Sequence, residues 1–222
     1  SVAAALVALA EQVAGVSVAE IELTGATPEP LERGSAVARL RSLGRPGLEI
    51  LRRSLPSTSL PPVIDGDYVS AVTAATGALQ AGALAVQGPP GTGKTYVGAR
   101  VIGELVRQRG WRIGVVAQSH AVVEHLLDQV VAAGLPADQV GKNPKDSPSP
   151  ERPDIARPPW TMLGKDDHAS FLADHASDGC VIGGTVWDFT NRRRLAQGQL
   201  DLLVVDEAGQ FSLANTVAAA SA

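Results

Sequence analysis

Gly88-Pro89-Pro90-Gly91-Thr92-Gly93-Lys94-Thr95 fits the pattern G-x-x-x-x-G-K-[ST] and follows an apolar run, Ala83-Leu84-Ala85-Val86. These eight residues decide the fold, because the pattern is that of a phosphate-binding loop set between a strand and a helix. Glycines at 88, 91 and 93 let successive backbone N–H groups turn inward around a β-phosphate. A helix opening at Gly93 aims the positive end of its dipole at the same group. Lys94 supplies a mobile cation for the β- and γ-phosphates, and Thr95 a hydroxyl for Mg²⁺. All eight positions, including Pro89, Pro90 and Thr92, are therefore nucleotide-binding candidates. A Gly/Pro turn with a chance Lys-Thr is the plain alternative, and the strand expected before it and the amphipathic helix after it argue against that.

Outward from the loop, Val97, Val101, Ile102, Leu105 and Val106 recur at helical spacing until Gly110. Upstream, a helical pattern runs from Asp67 through Val69, Val72 and Leu79 and ends near Gly82. Downstream, Arg112-Ile113-Gly114-Val115-Val116-Ala117 reads as a buried strand. The helix after it carries Val122, Val123, Leu126, Leu127, Val130 and Val131 and closes at Gly134. Two strand–helix units in succession predict an α/β fold, a parallel sheet flanked by helices. Residues 141–160 interrupt the rhythm with Pro144, Pro148, Pro150, Pro153, Pro158 and Pro159, a composition that sustains neither helix nor central strand. A helical segment near residues 166–176 then leads to a third strand, Cys180-Val181-Ile182-Gly183, and residues 201–206 form a fourth.

Residues 1–64 form a lead-in module of helical fragments broken by Gly25, Pro28, Pro30, Gly44, Pro46 and Gly47, ending in the turn-rich stretch 55–62. Its arginines, Arg39, Arg41, Arg45, Arg52 and Arg53, fit a phosphate contact or, better, a solvated helix face, and are given no chemistry. Residues 65–222 form the main domain. A net charge of −4 provides no whole-molecule attraction for nucleic acid, so any such contact has to come from a local patch. One cysteine, Cys180, excludes an internal disulfide and suits a reducing compartment, with the cytoplasm as the default. The apolar start at residues 2–10 is too short to span a membrane and lacks a basic leader. His120 and His125, and His168 and His175 ahead of Cys180, make no closed zinc ligand set.

The fourth strand runs into Asp206-Glu207-Ala208-Gly209-Gln210. An apolar strand closing on two acids supplies what phosphoryl transfer needs opposite a phosphate loop: Asp206 to hold the Mg²⁺ water shell, Glu207 to orient and deprotonate the attacking water. Taken together, residues 88–95, Val116-Ala117-Gln118-Ser119-His120-Ala121-Val122-Val123, Val181-Ile182-Gly183-Gly184-Thr185 and Asp206-Glu207-Ala208-Gly209-Gln210 resemble superfamily 1 helicases. The branch is that of the nonsense-mediated decay helicase, in the form closest to bacterial proteins fusing a RecB-like nuclease to a helicase. The resemblance covers residues from about 65 to 222.

It implies the first RecA-like motor domain of a P-loop NTPase, binding ATP and Mg²⁺ and moving along single-stranded nucleic acid, with DNA favoured over RNA. It places Ser119 and His120 at one backbone-gripping motif and Thr185 at another. It gives Gln210 a role in coupling the γ-phosphate state to strand contact, with a structural hydrogen bond as the alternative. Ser119 alternatively caps the helix opening at His120. Arg192-Arg193-Arg194 is either an extension of the strand track or a solvated turn. Tyr68 stands where the family usually carries an adenine-reading glutamine, and a tyrosine there stacks on the base.

By the same resemblance, a third-motif strand that sits between the phosphate-loop strand and the Asp206 strand is missing. So are a second RecA-like domain with its arginines and, in the fusion form, a nuclease domain. The expectation is an incomplete sheet with exposed edges and a chain that hydrolyses ATP poorly alone. Two other classes fit the loop: an AAA-type ATPase, and a nucleotide-binding module without turnover.

Overall fold

The structure is a computed structural model and describes residues 45–52, 56, 59–79, 82–146 and 156–220. Among them, five strands form one parallel sheet: β1 (Arg112–Val116), β2 (Val140–Lys142), β3 (Thr161–Met162), β4 (Cys180–Gly184) and β5 (Leu202–Val205), in the order β3-β2-β4-β1-β5. Among the described residues seven α-helices accompany it: α1 (Arg45–Arg52), α2 (Tyr68–Ala78), α3 (Lys94–Arg109), α4 (His120–Ala132), α5 (His168–Asp174), α6 (Val186–Phe189) and α7 (Leu213–Ala219).

Alternation along the strands builds a separate core on each face of the sheet. On one face Ile113, Val115, Val140 and Val181 meet Ile102, Leu105, Val106, Leu126, Leu127 and Val130 from α3 and α4. On the other, Val116, Cys180 and Ile182 meet Phe171, Leu172, Phe189 and Leu195. α3 shows why its sequence forms a helix: the apolar residues fall three and four apart on the buried side. Gly110 then ends it at φ 62° with its N–H on the Val106 carbonyl, and Arg107 and Arg109 sit at the negative end of the dipole. The Arg109 guanidinium also donates to the Gly77 carbonyl at 2.8 Å, tying α2 to α3. α1 packs on α7, with Gly47 against Val217.

β1, β4 and β5, the helices α2 to α5 and the α/β class agree with the sequence reading to within a few residues. Two expectations are corrected. Residues 83–86 are not a strand: they join no ladder, and Val86 is 52% exposed. A strand exists only where a neighbour supplies ladder partners. The sheet ends at β5, which pairs with β1 alone, so its outer edge offers the apolar run no position beside β1 or β4. Nor does the proline-rich stretch 141–160 avoid the sheet: β2 enters it as far as Lys142, buried between β3 and β4, and β3 follows directly after it. Of the lead-in, residues 1–44 lie outside the described residues, as does the excursion at 147–155. Among the described residues no helix is long and apolar enough to cross a membrane.

Candidate nucleotide-binding site

The phosphate loop has the conformation its glycines permit. Gly91 and Gly93 both sit at φ 79°, a left-handed backbone that side chains rarely adopt, and a Cβ at Gly88 would come within 2.8 Å of the Thr92 hydroxyl. Thr92 donates that hydroxyl to the Pro89 carbonyl at 2.8 Å, pinning the turn. Gly93 caps α3 without a side-chain hydrogen bond, and the first helical bond is Val97 N–H to the Gly93 carbonyl. The N–H groups of Lys94, Thr95 and Tyr96 are thus left without intrahelical acceptors, which suits a phosphate. Lys94 is exposed and folds back over the loop, donating to the Gly88 and Pro89 carbonyls at 2.7 and 2.9 Å. These bonds tether its ammonium beside the cradle.

Asp206 extends β5 by one more bond, its N–H donating to the Val116 carbonyl at 2.9 Å. Leu202 and Val204 pack toward the core shared with α3, and Leu203 and Val205 toward the opposite core. Continued alternation turns Asp206 to the α3 side, the side of the phosphate loop. Its Oδ1 accepts the Glu207 N–H at 2.9 Å. Glu207 adopts φ 51°, a left-handed conformation that costs a non-glycine residue on the order of 1 kcal/mol. That bend aims Glu207 away from the strand and starts the 3-10 turn Ala208–Gln210, where Gln210 is exposed and its N–H donates to the Glu207 carbonyl at 2.8 Å. No hydrogen bond or ion pair joins the phosphate loop to Asp206 or Glu207 among the described residues. Tyr68 opens α2, 58% exposed, after an Asp67 cap whose carboxylate is held below its usual range by the Ser70 hydroxyl and backbone N–H.

The other predicted residues line the same carboxyl edge. Val116 is in register with Gly184 on one side and Val205 on the other, so the chain leaves β4, β1 and β5 in a row, toward Thr185, Ser119 and Asp206. Two strand spacings, about 10 Å, separate the β4 and β5 exits. Ser119 does cap α4, its hydroxyl accepting the Val122 N–H at 3.3 Å, and His120 is the first residue of that helix. Thr185 caps α6 in a capping box: its N–H and hydroxyl both donate to Asp188 Oδ2, at 2.7 and 2.9 Å. Asp188 in turn pairs with Arg194. Arg192 donates to the Gln197 side chain at 2.9 Å, so both donors of Thr185 and two arginines of the 192–194 triplet are engaged within the fold.

Sequence reasoning missed a second feature of this edge. Lys142, at the end of β2, is fully buried and bonded to His120 and Glu124 of α4. Beside it a cleft of about 640 Å³ is lined by Ser119, His120, Lys145 and Trp160. α4 reaches across β4 to make this contact because Gly183 has no side chain: a Cβ there would lie 2.6 Å from Leu127 and 2.8 Å from Val123. Trp187, just past Thr185, is 62% exposed. Among the described residues no three His, Cys, Asp or Glu side chains gather as metal ligands.

Residues 69–222 match the model of the protein family described as AAA domain, more than half of the chain. The chain belongs to the AAA domain family. With its parallel sheet and helix-opening phosphate loop it is an α/β P-loop NTPase fold of RecA-like form. Two curated relatives are similar to parts of it. The Arabidopsis thaliana protein named Regulator of nonsense transcripts 1 homolog is 32% identical over 87 residues, 39% of this chain and 7% of the relative. Regulator of nonsense transcripts 1 of Caenorhabditis elegans is 40% identical over 50 residues, 22% of this chain and 5% of the relative. The matched segments thus span less than a tenth of either relative. No solved structure is matched.

Proposed function

We propose that this chain is the ATP-binding motor domain of a nucleic-acid helicase of the superfamily 1 type. It binds Mg-ATP at residues 88–95, hydrolyses it with Asp206 and Glu207, and couples turnover to movement along a single strand in the intact protein. The observation that carries this reading is the placement of Asp206: it continues β5 onto the sheet face covered by α3, the helix that the phosphate loop opens. The glycine turns at 91 and 93 and the unpaired N–H groups of the first α3 turn fit a triphosphate.

On binding, Lys94 exchanges its two loop carbonyls for β- and γ-phosphate oxygens. Thr95 and Asp206 would hold Mg²⁺, which would supply charge neutralisation on the phosphates. Glu207, turned off the strand by its left-handed backbone, accepts the proton of the attacking water. Gln210 relays the state of the site along the carboxyl edge, where Ser119, His120 and Thr185 contact strand backbone. Tyr68 stacks on the base. The cellular form of this reading is a longer chain that adds a second RecA-like domain and, as in RecB-like nuclease fusions, a nuclease.

The match to the AAA domain family also supports a plainer reading, an AAA-type ATPase that needs no strand. ATP turnover of the intact protein with and without single-stranded DNA separates the two, measured for the wild type and for Glu207→Gln. Turnover that rises with DNA, and a Glu207→Gln variant that binds ATP without releasing phosphate, supports the motor. Turnover indifferent to DNA sinks the helicase reading and leaves the ATPase.

A further inference from the structure

The cluster beneath the cleft fixes the state of His120. Lys142 Nζ donates to His120 Nδ1 at 2.9 Å, to a Glu124 carboxylate oxygen at 2.9 Å and to the Asn143 carbonyl at 3.0 Å. An ammonium has three N–H bonds and no lone pair, so all three contacts are donations and the set is saturated. Nδ1 of His120 is therefore an acceptor, and a neutral ring carries its proton on Nε2, which has no partner among the described residues. His120 lines the cleft together with Ser119 and Lys145.

We propose that Lys142 is a positioning residue that holds His120 as the Nε2–H tautomer, so that the cleft offers a nucleic-acid backbone a neutral donor and not a cation. This rests on the strand-binding reading for its ligand, while the ring state stands on the cluster alone. The surroundings act in the same direction. Burial first, and then the Lys142 charge, hold the imidazole below its usual range. Lys145, from the loop after β2, pushes the same way, whereas Asp188 of α6 and Glu124 of α4 oppose it and are outweighed.

A neutral donor releases no counterion on meeting a phosphate, so the contact adds nothing to the salt dependence of binding while the ring is neutral. Glu124 has a part in this as well. Its carboxylate accepts from Lys142 and holds the ammonium in place, and with Lys142 removed its charge is left to favour a protonated ring.

Long-range proton–nitrogen correlation spectra of the 222-residue chain, with the ring assigned by His120→Asn, test the ring state directly. The expected result is an unprotonated Nδ1, a protonated Nε2 and a titration midpoint below the ordinary value of about 6.5. An Nδ1–H ring, or a midpoint at or above that value, overturns the proposal. Lys142→Met raises the midpoint above the wild-type one, and an unchanged midpoint counts against the proposal. Glu124→Gln, which leaves the lysine in place, keeps the midpoint at or below that of the wild type, so a rise there contradicts it as well, even if Lys142→Met fails to fold.

Anisotropy of a labelled oligo(dT) supplies the functional arm. From pH 8 to 6 Lys142→Met gains about fivefold more affinity than the wild type does, a gain that His120→Asn abolishes. Wild-type binding that tightens fivefold over that range refutes the neutral contact. If no oligonucleotide binds at any pH, the strand reading fails, and the spectra still decide the state of the ring.

Discussion

Gly183→Ala tests the packing that brings α4 over the sheet. The new Cβ would lie 2.6 Å from Leu127 Cδ1, 2.8 Å from Val123 Cγ1 and 3.3 Å from Leu127 Cγ. Leu127 and Val123 are fully buried, so neither has open space to move into and the helix has to lift. Overpacking of this kind costs about 2 kcal/mol. Alanine restricts the unfolded chain more than glycine does, which returns roughly 0.5 kcal/mol because Gly183 is not in a left-handed conformation. The net loss is about 1.5 kcal/mol. With a urea slope of about 2 kcal/mol/M the unfolding midpoint falls by about 0.75 M at unchanged slope. Leu127→Ala alone is also destabilising, but it removes both of the closest Leu127 clashes. Adding Gly183→Ala to it should then cost less than half as much, a coupling of at least about 0.7 kcal/mol. A wild-type midpoint for Gly183→Ala, or strict additivity of the two substitutions, would refute the argument that Gly183 sets the distance between α4 and β4.

Other outcomes follow from the same interior. His168 is 1% exposed with neither ring nitrogen hydrogen-bonded, and burial holds its imidazole below the usual range. The unfolded chain therefore takes up this proton first: stability is full above about pH 6.5 and is lost as pH falls through that value toward the folded one. Urea midpoints at pH 7.5, 6.5 and 5.5 should drop with pH, less steeply for His168→Leu, and a flat wild-type profile contradicts this. Burial pushes the Cys180 thiol up to about 12, so it should not react with a disulfide reagent in the native state and should react promptly in urea. Trp187→Ala should leave the unfolding free energy from urea titration within about 0.5 kcal/mol of wild type, because the ring is 62% exposed. Should strand bases stack on this exposed ring, oligo(dT) affinity of Trp187→Ala falls about tenfold, and unchanged affinity keeps Trp187 off the strand track.

What was legible in the sequence is what local chemistry controls. α3 can be read from its loop to Gly110 because both ends use left-handed glycines and the stripe between them has a helical period. β1, β4 and β5 are largely apolar runs of four or five residues, β1 and β4 buried and β5 half-buried, long enough to stand out. β2 and β3 have three and two residues, too short to show any period, and their place in the sheet comes from neighbours far along the chain. Residues 83–86 failed for the opposite reason: composition favoured a strand, but no ladder neighbour is present. Ser119 shows a cap legible from sequence, whereas the engagement of Thr185 by Asp188 depended on side-chain geometry three residues on. Lys142 was illegible because a lysine is buried only where acceptors converge, and two of its acceptors come from a helix some twenty residues earlier. The turn at 88–95 was legible because its glycines take up the left-handed backbone that the loop pattern requires, whereas the nucleotide roles read for 88–95 and 206–207 are what the ATP experiments test.

The central claim is that residues 88–95 hold a nucleoside triphosphate. Lys94 is exposed and bonded only to two loop carbonyls, so Lys94→Ala should leave the fold intact and remove the one side-chain cation the loop places beside the phosphates. Calorimetric titration of the chain with Mg-ATP is the most direct measurement. Saturable one-to-one binding by the wild type, weakened at least about tenfold in Lys94→Ala while the two unfold at the same urea concentration, is the predicted result. Equal ATP affinity in the two proteins, or no binding by the folded wild type, would contradict the account.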